Sequence, residues 1–262
     1  MKKTSISKQS RFLPFLAVLF MLFGGISALS AQSSKVVKNI VLVHGAFVDG
    51  SGYRGVYDIL TKKGYNVTVV QNPLTSLADD VQATKDALDK QDGPTILVGH
   101  SYGGTVITES GDHPNVAALV YVAAFQLDEG ESAVDWAKTE PASPKSGILP
   151  PDEKGFLYYD KAKFHAGFCA DLPKEQADFM YASQGRFSAA ALGAKVTRAP
   201  WKTKPSYGIV ATQDEAILPS IQRKMYQKGH AKITEIKGSH VVFISHPQEV
   251  ADVIIRASKE VK

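Results

Sequence analysis

One cysteine, Cys169, occurs in 262 residues. An internal disulfide is therefore impossible and a cysteine-built metal site is excluded, so stability has to come from packing. No internal repeat and no low-complexity tract interrupts the chain. An excess of charge is also missing once the first 31 residues are set aside. The chain carries 30 Lys and Arg against 26 Asp and Glu, and four of the basic residues (Lys2, Lys3, Lys8 and Arg11) fall in that leading stretch, which has no acidic residue. The remainder is formally neutral, which gives no footing for nucleic acid or for an acidic partner.

That leading stretch has the three-part layout of a secretory signal peptide: a basic start, an apolar run from Phe12 to Phe23, and the small residues Gly24 to Ala31. The apolar run is broken by Pro14 and is shorter than the about 20 residues that a bilayer span needs. Cleavage is expected after Ala31, with Ser30 as the second choice. No cysteine lies near this boundary to carry a lipid. The expectation is an exported protein, periplasmic or secreted, with no stable membrane anchor. About 231 residues remain, enough for one domain with a substantial core.

From there the chain alternates. Apolar runs at 36–43, 65–70, 95–98, 116–124, 207–211 and 231–236 read as strands. Helical spacing follows the first three, at 53–63, from Ser76 onward and from Tyr102 to about Ser110. Leu77, Val81, Thr84 and Leu88 line one face of the second helix, and Asp79 is placed to close a capping box with Ser76. Two further helices, at 217–227 and from Pro247 to about Ser258, flank the last strand. Strands that are apolar throughout, each followed by a helix, predict an α/β fold with a mostly parallel sheet covered on both faces. The alternation stops near Phe125 and resumes after Lys204. The interruption, about 125–204, shows no clear strand and is too long for a structureless loop. A largely helical cap over the carboxyl edge of the sheet is expected. Its aromatics (Trp136, Phe156, Tyr158, Tyr159, Phe164, Phe168, Phe179 and Tyr181) divide between cap core and pocket.

Residues 99–104 read Gly-His-Ser-Tyr-Gly-Gly, directly after the strand at 95–98. A Gly-x-Ser-x-Gly pattern at a strand-to-helix turn makes Ser101 a candidate nucleophile. The tight turn exposes the hydroxyl, glycine avoids collisions with neighbouring elements, and the following helix aims free N–H groups at the space beside the serine. Such a serine needs a base to take its proton and a carboxylate to orient that base. Among seven histidines, His240 stands just past a strand's carboxyl end, the edge where ligand sites of open parallel sheets gather. His44 and His100 adjoin glycines at strand ends and read as turn-shaping. His113 lies in a polar loop, His165 and His230 read as solvated helix positions, and His246 as a helix entry before Pro247. For the acid, Asp214 follows the strand at 207–211 and Asp128 the one at 116–124. Asp214 is preferred, because Asp128 stands with Glu129 and Glu131 in what reads as a solvated loop.

The order Ser101, Asp214, His240, with spacings of 113 and 26 residues, resembles that of the α/β-hydrolase superfamily, and the resemblance covers nearly all of 32–262. His44-Gly45-Ala46-Phe47, after the first strand, is similar to the oxyanion loop of that family. The resemblance implies an oxyanion hole formed by the backbone N–H groups of Ala46 and Tyr102, with no metal and no cofactor. Within the superfamily the chain looks like the methylesterase and hydroxynitrile lyase group and its bacterial relatives. The lyases generally have threonine where this chain has Gly45, and where it has Val241 they have a lysine that supports the leaving cyanide. The implied activity is that of an exported serine carboxylesterase acting on small uncharged esters, aromatic ones among them. Two other readings stay open: perhydrolysis or hydroxynitrile cleavage by the same triad, and a non-enzymatic ligand-binding protein on the same fold.

Overall fold

A computed structural model describes residues 36–261 and, of the first 35 residues, only 1, 2 and 4. The expected signal peptide lies outside the described residues. Three strand–helix units open the chain: β1 (Asn39–Val43) and, after a 3-10 turn at Gly50–Tyr53, α1 (Arg54–Lys62); β2 (Asn66–Val70) and α2 (Leu77–Asp89); β3 (Thr95–His100) and α3 (Gly103–Ser110). β4 (Val116–Val122) leads into the long insertion. This holds α4 (Ala133–Ala137), β5 (Phe156–Leu157), α5 (Lys161–Phe168), α6 (Lys174–Ala182), β6 (Phe187–Ser188), α7 (Ala189–Gly193) and a 3-10 turn at Pro200–Lys202. β7 (Ser206–Ala211), α8 (Pro219–Lys228), β8 (Lys232–Ile236), α9 (Val242–Ser245) and α10 (Pro247–Glu260) complete the fold.

Among the described residues six strands form one sheet in the order β2-β1-β3-β4-β7-β8, and every neighbouring pair is parallel. β1, β3 and β7 are buried at every residue, which is why their sequences are apolar without alternation. Ile96, Leu97 and Val98 of β3 are each sealed from solvent, worth roughly 1.5–3 kcal/mol per side chain. The edge strands β2 and β8 are partly exposed and tolerate Asn66, Thr68, Lys232 and Glu235. α1 and α10 pack together on one face of the sheet, α2 and α3 on the other. β4 and β7 pair directly, from Leu119 opposite Ser206 to Val122 opposite Ile209, so the insertion leaves and re-enters the sheet at adjacent strands.

The element bounds shift from the sequence expectation for identifiable reasons. β1 starts at Asn39 because the Val37 N–H donates at 2.9 Å to Ser258 O of α10 instead of joining the ladder. β4 ends at Val122 because Ala123 has φ +45°. Both backbone groups of Ala124 then bond the Tyr226 phenol, at 2.8 and 3.0 Å. Asp79 does not close a capping box. Its carboxylate accepts the Thr75 and Ser76 hydroxyls at 2.7 Å each, while Ser76 Oγ caps the Asp79 N–H at 3.1 Å. The insertion departs from the expected largely helical cap: its helices are short, well under half of 125–204 is helical, the rest is irregular, and β5 and β6 add an antiparallel pair. Two-residue strands carry no period for a sequence reading to detect.

Of the insertion's aromatics, Tyr159, Phe164 and Phe168 are buried, with ring centroids 5.1–5.4 Å apart. Phe47, from the loop after β1, sets its ring edge-on to Tyr159, Phe168 and Phe187 at 5.6–6.2 Å. Trp136, Phe156 and Tyr181 are half-buried, and Tyr158 and Phe179 are exposed. Cys169 is buried, and burial pushes its thiol up to about 12.

Asp80, on α2, ties sheet and insertion together. Its carboxyl accepts the Leu74 N–H at 2.7 Å and the Tyr102 hydroxyl at 2.9 Å, and Leu74 O accepts the Ser188 N–H of β6 at 3.0 Å. Burial, partly offset by these two donors, pushes the Asp80 carboxyl up from 3.8 to about 6. The folded chain therefore holds this proton more tightly than the unfolded chain. The resulting stabilisation is complete below 3.8 and is lost as pH rises through 6. Asp80→Asn, which has no proton to lose, should gain on the wild type between pH 4 and pH 7. The gain should approach 3 kcal/mol, at about 1.4 kcal/mol per unit. Thermal melts of both proteins across that range test this, and a difference that does not change with pH would refute it.

Candidate active site

Three loops at the carboxyl edge of the sheet bring the candidate residues together. Between β3 and α3 the chain must reverse within one residue, and Ser101 takes φ +54° to do so, a left-handed conformation that a non-glycine residue adopts only where its surroundings impose it. Here they do: Ser101 N–H donates to Val122 O at 3.2 Å, and Ser101 O accepts from Gly104 N at 2.9 Å and Phe125 N at 3.2 Å. The turn is pressed against the end of β1. A Cβ on Gly103 would stand 2.7 Å from Val43 O, and one on Gly45 would stand 2.6 Å from the Ser101 Cβ. Both positions therefore exclude any side chain, and the second puts the backbone of the β1 loop directly against the candidate nucleophile.

Ser101, Asp214 and His240 meet in this space, with 7%, 2% and 1% of their surfaces exposed. His240 Nδ1 lies 2.7 Å from Asp214 Oδ2, and His240 Nε2 lies 2.8 Å from Ser101 Oγ. Because an ionised carboxylate can only accept, this geometry assigns the ring proton to Nδ1 and leaves Nε2 free to accept from the serine hydroxyl. Asp214 uses both oxygens: Oδ1 accepts from Ala216 N at 2.8 Å and Ile217 N at 2.9 Å, and Oδ2 accepts also from Gln222 Nε2 at 2.8 Å. The arrangement allows a proton to pass from serine to imidazole while the carboxylate holds the ring.

Ala46 N–H and Tyr102 N–H, the two candidate oxyanion donors, make no hydrogen bond to the protein among the described residues. Both residues are buried, so two unpaired donors flank the serine. Tyr102 is held by its hydroxyl on Asp80 and by its ring, 4.6 Å from Phe187. Phe168 faces the His240 ring at 4.9 Å. The surroundings of the triad are thus largely aromatic.

The remaining candidates fall elsewhere. Asp128 forms ion pairs with Lys202 at 2.5 Å and Lys228 at 3.4 Å. Partial burial opposes its charge, but these lysines hold its carboxyl below the ordinary value. His44 shapes the turn: burial keeps it neutral, its Nδ1 donates to Gly45 O at 2.8 Å and its Nε2 accepts the Asn72 N–H at 2.9 Å. His100 does more. Burial holds it well below its ordinary value, and its Nε2–H donates to the His240 carbonyl at 2.9 Å. His113 bonds Asp89 at 3.0 Å. His165 is half-buried and donates to Leu172 O at 2.9 Å, whereas His230 is exposed. His246 caps α10. Among the described residues no three His, Cys, Asp or Glu side chains converge in a way that could hold a metal.

Gln222 escapes the sequence reading. It is fully buried on α8, and besides Asp214 it donates to Ile217 O at 2.7 Å and accepts the Ala211 N–H at 3.1 Å. Its one trace in the sequence is an amide on the helix face that carries Ile221 and Met225. Gln222→Met, close in volume, should lose about 1–3 kcal/mol of stability by leaving buried polar groups unpaired. Urea unfolding measures this, and an unshifted midpoint would mean that the amide is not holding the carboxylate.

A model of the alpha/beta hydrolase family matches residues 40–253. The chain belongs to that family, and the fold expected from its motifs is the fold observed. It is similar to a pyrethroid hydrolase of Sphingobium wenxiniae, 27% identical over 246 residues, which cover 83% of this chain and 86% of that protein. It is also similar to a carbendazim hydrolyzing esterase of a Nocardioides species, 32% identical over 157 residues, covering 52% of this chain and 61% of that protein. Among solved structures, a pyrethroid hydrolase from Sphingobium faniae superimposes with a TM-score of 0.74 at 25% identity, over 86% of this chain and 98% of that one.

Proposed function

We propose that this protein is a serine carboxylesterase for small, uncharged esters, including aromatic ones. The observation that carries the reading is the continuous hydrogen-bonded line from Ser101 Oγ through His240 to Asp214, at 2.8 and 2.7 Å. In this mechanism Ser101 Oγ attacks the ester carbonyl carbon while its proton moves to His240 Nε2. Asp214 keeps the ring oriented and stabilises its protonated form. The carbonyl oxygen, now negative, takes hydrogen bonds from Ala46 N–H and Tyr102 N–H, each worth roughly 3 kcal/mol of barrier. His240 returns the proton to the departing alcohol. Water then cleaves the acyl-serine by the same route, with His240 as base. No metal or cofactor enters any step.

The lining favours esters without charge. Phe47, Tyr159, Phe168 and Phe187 form one set of edge-on rings reaching His240, and a charge among them would be desolvated without a partner. Relatives named as a pyrethroid hydrolase and a carbendazim hydrolyzing esterase support the hydrolytic reading. Hydroxynitrile cleavage is disfavoured. Position 45 has no room for a threonine side chain beside Ser101, and the residue after His240 is the fully buried Val241, which offers no cation to a leaving cyanide. We further propose that the chain is exported, on the leader described above; N-terminal sequencing of the mature protein should begin at Gln32.

With p-nitrophenyl acetate or butyrate, Ser101→Ala should abolish turnover. Asp214→Asn should lower it by about 10³–10⁴, and Asp128→Asn should leave it near wild type. Wild-type turnover in Ser101→Ala would end the proposal. A collapse in Asp128→Asn alone would move the acid to that residue.

A further inference from the structure

His240 lies in the segment 237–246 that joins β8 to α10. From the sheet side this segment is held by His100, through the His240 carbonyl. From the other side it is held by one residue of the insertion, Asp171, in the turn between α5 and α6. Asp171 Oδ1 accepts the Ser239 hydroxyl at 2.5 Å, and Oδ2 accepts the Ser239 N–H at 2.9 Å and the Ser245 hydroxyl at 2.8 Å. Ser239 directly precedes His240, and Ser245 closes α9 on its far side. Both ends of the His240 segment therefore attach to a single carboxylate. The approach is tight: a Cβ on Gly238 would stand 3.1 Å from Asp171 Oδ2 and 2.9 Å from Val242 Cγ2.

Phe168, the last residue of α5 just before this turn, sets its ring against His240, with centroids 4.9 Å apart. The turn is stiffened internally as well, by His165 donating to Leu172 O at 2.9 Å and by Leu172 N–H donating to Cys169 O at 3.0 Å. Partial burial works against charge on Asp171, but the Ser239 and Ser245 donors hold its carboxyl below the ordinary value. Nothing in the triad itself contacts this side chain, so its influence on the chemistry passes through the backbone of 239–245.

We propose that Asp171 is a positioning residue for the base, fixing the Ser101–His240 geometry from the insertion rather than from the sheet. This rests on the reading of His240 as the base of an esterase. Removing the carboxylate frees both ends of the segment while leaving the Asp214 and His100 bonds to His240 in place. The imidazole then loses its register with Ser101, and a displacement near 1 Å costs about 100-fold in rate.

The test uses the full chain with p-nitrophenyl butyrate. Active sites are counted by exhaustive labelling with a fluorophosphonate, so that a loss of folded protein does not register as slower chemistry. Asp171→Ala should lower kcat per labelled site about 100-fold with KM within about threefold. Asp171→Asn keeps one oxygen to accept from Ser239 and should recover about tenfold of that loss. Ser245→Ala, which removes one of the three bonds, should cost about three- to tenfold in kcat. If Asp171→Ala does not fold, Asp171→Asn and Ser245→Ala carry the test. Wild-type kcat per site in both would overturn the proposal, as would a raised KM at unchanged kcat. Ser101→Ala is run alongside: turnover surviving there brings down the esterase reading itself, whereas a dead Ser101→Ala beside unaffected Asp171 and Ser245 variants sinks this inference alone.

Discussion

A carboxyl group buried in a protein is stable only if its oxygens find donors, and Asp214 organises much of this molecule around that need. Its four partners come from its own loop, from α8 and from the β8–α10 segment. Satisfying them sets the path of the chain after β7, sets which face of α8 turns inward, and sets the plane of the His240 ring. Gln222 extends the constraint, because the amide that serves Asp214 also takes the last N–H of β7. A helix, a strand end and the loop that carries His240 are thereby locked by one group of polar contacts. In a low-dielectric interior such a network tolerates little movement.

The second framework is steric. The turn at Ser101 is wedged between β1 and β4, and the left-handed backbone there is imposed by contacts from Gly45, Gly103 and Val122. The hydroxyl is thus aimed by backbone packing, independently of the polar network that aims the imidazole. The two frameworks meet at a single 2.8 Å contact between Ser101 and His240. Insertion and sheet both bear on that contact, the insertion through its aromatic cluster and Asp171, the sheet through His100.

Sequence and structure agree where the information is local. Strands buried on both faces announce themselves by unbroken apolar runs, and Gly-His-Ser-Tyr-Gly-Gly announces a tight turn because glycine and serine there answer to immediate neighbours. Asp214 and His240, which the structure brings together with Ser101, could be nominated because each lies within four residues of the end of a recognisable strand. Contacts made across the fold left no such mark. Asp171 bonds Ser239 from 68 residues away, and nothing near it in sequence distinguishes it from a solvated aspartate before Leu172-Pro173. Gln222 shows in the sequence only as a lone amide on the apolar face of its helix, with nothing to name its partners. β5 and β6 exist only as each other's strand partners, and the bond from His165 to Leu172 O depends on a turn whose path is set by the rest of the insertion.

The direct pairing of β4 with β7 has a consequence in time. By the point at which residues 39–125 have left the ribosome, β1 to β4 have one another and the left-handed serine turn has its backbone partners Val122, Gly104 and Phe125, although β4 still lacks β7. The strand that leads to Asp214 comes only after the entire insertion, and the segment bearing His240 comes later still, after β8. A nascent chain, or any fragment ending before Gly238, therefore displays a serine with nothing to take its proton. In the proposed mechanism reactivity switches on only once the β8–α10 segment has been made, so a chain that stops short of it stays chemically silent.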